Sequence, residues 1–204
     1  MKFTTWMVFT AIWATLAYFP MAHMVWGGEG GFLSAGGVLA NLVGADPIDF
    51  AGGTVVHINA GVAGLVAITP GAGALDPIGS MIVGLLVGAV CAYAVGLKLR
   101  LGFDDSLDVV GVHLVGGLLG TVLIGLFAVD GGLFHGGGIR LLLIQTLVAL
   151  FACLYSGVVT LVIGLGLKKT MGWRISTEDE VRGIDLAEHS ESAYESMSAA
   201  ARLA

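Results

Sequence analysis

Residues 141–167 read LLLIQTLVALFACLYSGVVTLVIGLGL, a run without Asp, Glu, Lys or Arg, bounded by Arg140 and by Lys168 with Lys169. A helix needs about 20 apolar residues to cross a hydrocarbon core, so this run is long enough to span a membrane. The same pattern returns along the rest of the chain: residues 3–28, 50–75, 77–97 and 109–129 also lack those four residue types. Of the 204 residues, 56% are hydrophobic and 12% charged. Soluble domains carry about twice that charged fraction. In lipid the backbone must satisfy its own hydrogen bonds, which leaves helices or a closed β-barrel. The strict alternation of barrel strands is missing from these runs. The fold class is therefore all-α, a polytopic helical membrane protein of about five spans, expected at 4–26, 50–69, 78–97, 107–128 and 140–168.

The stretches between the spans, GGEGGFLSAGG, PGAGALDP, KLRLGFDD and DGGLFHGGG, carry turn chemistry. Glycine is also frequent inside the spans, where small residues let helices approach closely. After Lys168 the chain turns polar and acidic. Thr177 and Glu180 have the spacing of a capping box. They predict a short helix to Arg182, a break at Gly183 and a second helical stretch from Asp185. Residues 1–170 are read as a transmembrane domain and 171–204 as an aqueous tail. The N-terminal apolar run is too long for a secretory signal and lacks a clean cleavage site, so it is read as a span.

The net charge of −6 comes mostly from the tail and excludes a basic nucleic-acid binder. Cys91 and Cys153 stand in separate apolar runs and read as small buried hydrophobes. No nucleophile elbow, phosphate loop, HExxH or CxxC is present, so the sequence offers no enzyme, metal or cofactor motif.

Lys168, Lys169 and Arg174 place the tail in the cytoplasm by the positive-inside rule. Counting back, 129–139 lies outside, the Lys98 and Arg100 loop inside, and 70–77 outside. From the other end, Lys2 inside puts 27–48 outside. The two counts conflict at the span expected over 50–69. Either one span is irregular, or an odd number of crossings is missing there.

Two histidines lie in the most apolar segments, His57 in DFAGGTVVHINAGVAGLV (49–66) and His113 in SLDVVGVHLVGGLLG (106–120). Both read H-x3-G-x2-G, with Gly61 and Gly64 after the first and Gly117 and Gly120 after the second. Helical periodicity puts these glycines on the histidine face, so each imidazole should face a neighbouring helix closely. Asp49 precedes His57 by eight residues and Asp108 precedes His113 by five. Paired segments of this kind suggest the internal repeats of transporters. Ionisable groups at membrane depth are costly and mark pathways. Neutral imidazole offers one donor and one acceptor, so two can share a proton and line a polar thread. Such a pair suits a small neutral solute or a proton relay, and not a bare alkali cation. Alternatives for the pair are hydrogen-bonded structural histidines, or haem ligands in an electron-transfer subunit.

Asp49 either caps the span after it or supplies negative charge at the outer mouth. Trp26 is either an interfacial belt residue or a cation–π surface for a small ammonium ion. His23 and His135 read as structural, and Asp104, Asp105 and Asp108 as caps of the following helix.

The stretches AHMVWGG (22–28), DFAGGTVVHINAG (49–61), AGLVAITPGAG (63–73), GFDDSLDVVGVHLVGGLLGT (102–121) and RISTEDEVRGIDLAEHSESAYE (174–195) resemble the Amt branch of the Amt/Mep/Rh ammonium transporter family. The resemblance implies a homotrimer in the plasma membrane with the C-terminus cytoplasmic. Each subunit would carry its own pore, with eleven spans built on an inverted repeat of five plus five and a final long helix. His57 and His113 match the twin histidines of that pore. Trp26 matches the aromatic residue of the outer ammonium site, and Asp49 the acid that stabilises the recruited cation. The implied function is ammonium transport: recruitment, deprotonation, passage of ammonia and a proton relay through the histidines. The tail resembles the segment that couples subunits and is touched by PII-type regulators.

The departures from the family are equally specific. About three family spans have no counterpart before residue 4, and the phenylalanine gate and outer-site serine belong to segments without a match. HINAGVAG runs straight into GLVAITP, where the family interposes a loop and two more spans. The span expected at 50–69 would then join the front of one family helix to the back of a later one, leaving out an odd number of crossings, which accounts for the failed charge parity. The alternative reading is a non-transporting, regulatory or pseudogene-like membrane fragment.

Overall fold

The computed structural model describes residues 2–50, 52–58, 73–102, 105 and 108–189. Among the described residues the regular structure is helical, and the only extended pairing is an isolated bridge between Leu75 and Ala128. Four helical stretches are long and apolar enough to cross a membrane: Phe3–Trp26, Pro77–Leu101, Val109–Phe127 and Arg140–Thr170. They coincide with four of the five expected spans. The fifth, at 50–69, is described only as far as Ile58, and the rest of it lies outside the described residues. The chain divides into two compact units, one of Trp13–Leu161 and one joining Met1–Ile12 to Val162–Ala204.

The helix α1 (Phe3–Trp13) begins in the smaller unit and, from Trp13 in the larger one, passes through a π-helical turn, Ala14–Tyr18, into α2 (Phe19–Trp26). Pro20 cannot donate a backbone hydrogen bond, so the ladder has to re-register around it. Beside this turn the Tyr155 hydroxyl donates to the Leu16 carbonyl, and the Trp13 indole donates to Thr160 Oγ1 at 2.9 Å. The segment expected as a plain loop after Trp26 holds a 3-10 turn, Gly28–Gly30, and a short helix α3 (Val38–Val43). Gly44 ends α3 with φ 73°, a left-handed conformation that glycine adopts without a Cβ clash.

α4 (Pro77–Leu101) is capped by the Asp76 side chain, which accepts from Gly79 N at 2.6 Å, with proline at its first turn. His135 Nε2 lies 3.8 Å from the same Asp76 carboxylate. The next span is π-helical over Val109–Leu114 and continues as α5 (Val115–Phe127). It forms an antiparallel hairpin with α4. Val129 N donates to Ala74 O at 2.9 Å at one end. At the other end Lys98 pairs with Asp108 and donates to the Asp105 carbonyl at 2.9 Å. The long helix α6 (Arg140–Thr170) brings Leu141, Ile144, Val148, Ala149 and Ala152 into a core with Met21, Val25, Val55, Ile58 and Ile124. Large apolar side chains such as Leu85, Leu154 and Leu161 point outward, as lipid solvent allows and water would not.

In the smaller unit the start of α1 is tied to the chain beyond α6. Thr5 Oγ1 donates to Gly172 O at 3.0 Å, and the Phe9 ring meets Trp173 edge-on at 6.0 Å. α7 (Thr177–Arg182) and α8 (Ile184–His189) are separated by Gly183, at φ 102°. The cap of α7 is Ser176, whose Oγ accepts from Asp179 N at 3.1 Å, one residue before the expected Thr177. The sequence offers two overlapping capping frames, and their patterns do not distinguish them.

Candidate functional site

The site grows from a stretch without regular structure, residues 45–50. Pro47 has no N–H, and the next residue, Ile48, has no ladder partner in this stretch. A side chain of α6 takes that place: Gln145 Oε1 accepts from Ile48 N at 3.0 Å, and Gln145 Nε2 donates to Ile48 O at 3.0 Å. Asp49 follows. Its carboxylate accepts from Thr54 N at 3.3 Å and Val55 N at 3.2 Å, capping the π-helical segment Gly53–Ile58. Burial pushes the Asp49 carboxyl above its ordinary value of 3.8, against the pull of the amides of Val55, Thr54, Gly53 and Gly52. The Asp49 carbonyl accepts from Trp26 Nε1 at 2.8 Å, which joins Asp49 to the end of α2. The Trp26 ring remains 48% exposed.

The second helix is built the same way. Asp105 Oδ1 accepts from Val109 N and Oδ2 from Val110 N, both at 2.8 Å. Asp108 was expected as the counterpart of Asp49, but it has φ 56° and turns its carboxylate to Lys98. The acid that caps the His113 helix is Asp105, eight residues before the histidine, the same spacing as Asp49 to His57. Both capped segments begin as π-helix. Asp104 lies outside the described residues.

The two segments run in opposite directions. Gln145 Nε2 also donates to Thr121 O at 3.3 Å, which places Ile48 near Thr121. Nine residues after Ile48, His57 lies against Gly117, where a Cβ would sit 3.0 Å from His57 Cβ. The glycine is what lets the two backbones come this close. His57 and His113 are 8% and 3% exposed, with ring centroids 6.3 Å apart and planes 26° from parallel. Gly120 is buried on the same helix, while Gly61 and Gly64 lie outside the described residues. Among the described residues, His57 Nδ1, Thr54 Oγ1 and Thr121 Oγ1 are buried without a hydrogen-bond partner. Buried polar atoms of this kind call for an explanation, and a polar path beside the histidines would supply one. Among the described residues no three His, Cys, Asp or Glu side chains gather as metal ligands.

Asp105 caps the helix as the sequence reading expected of it and its two acidic neighbours, and its spacing, equal to that of Asp49, is what singles it out among them. One residue of this site escaped the sequence reading: Gln145 is a polar amide inside the charge-free run 141–167, and that isolation was its signal.

These features define a multi-pass helical membrane protein whose centre is a pair of opposed, acid-capped helices. The chain belongs to the Ammonium Transporter Family, whose model matches residues 1–66 and 58–194. It is 36% identical to an ammonium transporter of Mycobacterium tuberculosis over 300 aligned residues, covering 96% of this chain and 62% of that protein. It is 33% identical to an ammonium transporter of Aquifex aeolicus, covering 95% of this chain and 66% of the relative. The crystal structure of Saccharomyces cerevisiae Mep2 shares the fold, with a TM-score of 0.69 and 23% identity over 81% of this chain and 59% of that one. A structure described as a sensor Amt protein is 34% identical over 67% of this chain and 34% of its own, with a TM-score of 0.54.

The chain thus spans 62% of the length of the mycobacterial relative. The two family-model matches overlap at 58–66, and the alignment is 300 residues long for a chain of 204. An interior stretch of the relatives therefore has no counterpart in this chain. The overlap of the two matches falls where the span count fails.

Proposed function

We propose that this protein moves ammonium across the plasma membrane along a path lined by His57 and His113. The observation that carries the reading is the buried imidazole pair, 6.3 Å apart on opposed helices. The half-exposed Trp26 face and the partly buried Asp49 carboxylate, when ionised, attract the cation at the outer mouth. A cation entering the apolar interior faces a large desolvation penalty, so ammonium gives up a proton before it enters. Ammonia then passes as a neutral solute, accepting and donating hydrogen bonds at the imidazoles. The released proton travels separately, taken up at one ring nitrogen and released from the other. The chain acts as a carrier with no catalytic turnover and no resident cofactor or metal. In this reading residues 1–170 form the membrane domain of a homotrimer. Residues 171–204 form a cytoplasmic tail open to a PII-type regulator.

A second reading is favoured by the interior stretch without counterpart: a membrane fragment that keeps the tail and the trimer contacts but does not transport. Uptake of labelled methylammonium into proteoliposomes separates the two. The transport reading expects uptake in the unaltered chain and its loss in His57→Ala and His113→Ala. Stable trimers with no uptake would establish the second reading.

A further inference from the structure

The mouth residues Trp26 and Asp49 meet through backbone and side-chain bonds, and one side chain holds the stretch that carries them. Gln145 is completely buried in α6. A buried carboxamide must place its two donors and its acceptor on partners, and this one does so on backbone groups alone. Oε1 takes the Ile48 N–H, and Nε2 serves the Ile48 and Thr121 carbonyls at 3.0 and 3.3 Å. The orientation of the amide follows from these partners. Reversed, it would set NH2 against the Ile48 N–H and oxygen against two carbonyls.

Ile48 is the residue before Asp49, and Thr121 lies eight residues after His113 on the same helix. One side chain therefore spans from the acid-bearing stretch to the helix of the second histidine. Among the described residues, the Ile48 backbone is held by this side chain. With that side chain removed, Asp49 would be placed by its own helix cap and by the Trp26 indole.

We propose that Gln145 is the positioning residue of the Trp26–Asp49 mouth: its carboxamide locks Ile48 by both backbone groups and sets the mouth relative to the His113 helix. This rests on reading Trp26 and Asp49 as the site that recruits ammonium. The test uses the full chain in lipid nanodiscs, labelled with 5-fluorotryptophan at its four tryptophans. The Trp26 fluorine resonance is assigned by its loss in Trp26→Phe. In Gln145→Leu and Gln145→Met the Trp26 resonance should move, while those of Trp6, Trp13 and Trp173 stay in place. Methylammonium, titrated against the Trp26 signal, should bind at least about fivefold more weakly than to the unaltered chain, the size expected for lost hydrogen bonds.

A Trp26 resonance that stays in place overturns the proposal. So does one that moves while methylammonium affinity is kept. Should the unaltered chain show no methylammonium response, the recruitment reading fails, and the positioning role is decided by the resonance alone. If both variants lose the dispersion of all four signals, amide exchange in the unaltered chain decides. Protection of the Ile48 amide supports the lock, and exchange at the rate of a free peptide overturns it.

Discussion

Asp49 combines two duties that substitution can separate. Its carboxylate caps a helix through Thr54 N and Val55 N, and in the proposed function it supplies the negative charge of the mouth. Asp49→Asn keeps a carbonyl acceptor for the cap and removes the charge. Asp49→Ala removes both and should cost about 1 kcal/mol more in thermal unfolding than Asn does. Both variants should weaken methylammonium binding. The acid also has a pH signature. Burial raises its folded-state value, so the contribution of this group to stability is complete below the ordinary carboxylate value. It is lost as pH rises through the folded value. The unaltered chain should therefore lose stability relative to Asp49→Asn as pH rises above the ordinary carboxylate value. An unfolding midpoint difference that stays flat over that rise would contradict the buried carboxylate.

The elements rank the acids and the glycines in a way that sequence position does not. Asp105 makes two bonds of 2.8 Å to the first amides of the His113 helix, while Asp108 makes a partly exposed pair with Lys98. Removing a cap costs roughly 0.5–2 kcal/mol, and breaking an exposed pair about 0–1 kcal/mol. Asp105→Ala should thus lower the unfolding temperature more than Asp108→Ala, measured in detergent. Equal losses, or the reverse order, would return Asp108 to the role first expected of it. Glycines divide in the same way. A Cβ at Gly117 would press on His57, but one at Gly88 in α4 meets nothing within 4 Å. Gly117→Ala should destabilise by about 1–3 kcal/mol. Gly88→Ala should be neutral or slightly stabilising, because alanine is the better helix former. The same pair of variants reports on function, since only the change at Gly117 displaces an imidazole.

For the whole molecule, the feature to explain is the interior stretch with no counterpart, which coincides with the conflict in the basic-residue count. Inserting the corresponding interior of the mycobacterial relative between the two matched segments should bring the two basic-residue counts into agreement. The resulting chimaera should take up methylammonium faster than the unaltered chain, and an equal rate would show that the missing stretch plays no part in the path. Four spans were legible from charge-free runs, because partition into lipid depends on the residues of the run itself. The histidine pair was legible because an imidazole in such a run is costly enough to stand out. The tail helices and the break at Gly183 were legible from capping and turn chemistry, to within one residue at the cap. Other features depend on contacts across the chain. Gln145 and Ile48 are 97 residues apart, and no local pattern names one as the partner of the other. The same holds for Asp105 over Asp108, which is settled by where Lys98 of α4 lies. Hydropathy and turn chemistry thus set the spans and singled out the imidazoles, since these are properties of short stretches. Packing decided which acid caps which helix, which glycine meets which histidine and which amide holds the backbone of Ile48, since those bonds form only after distant segments have met.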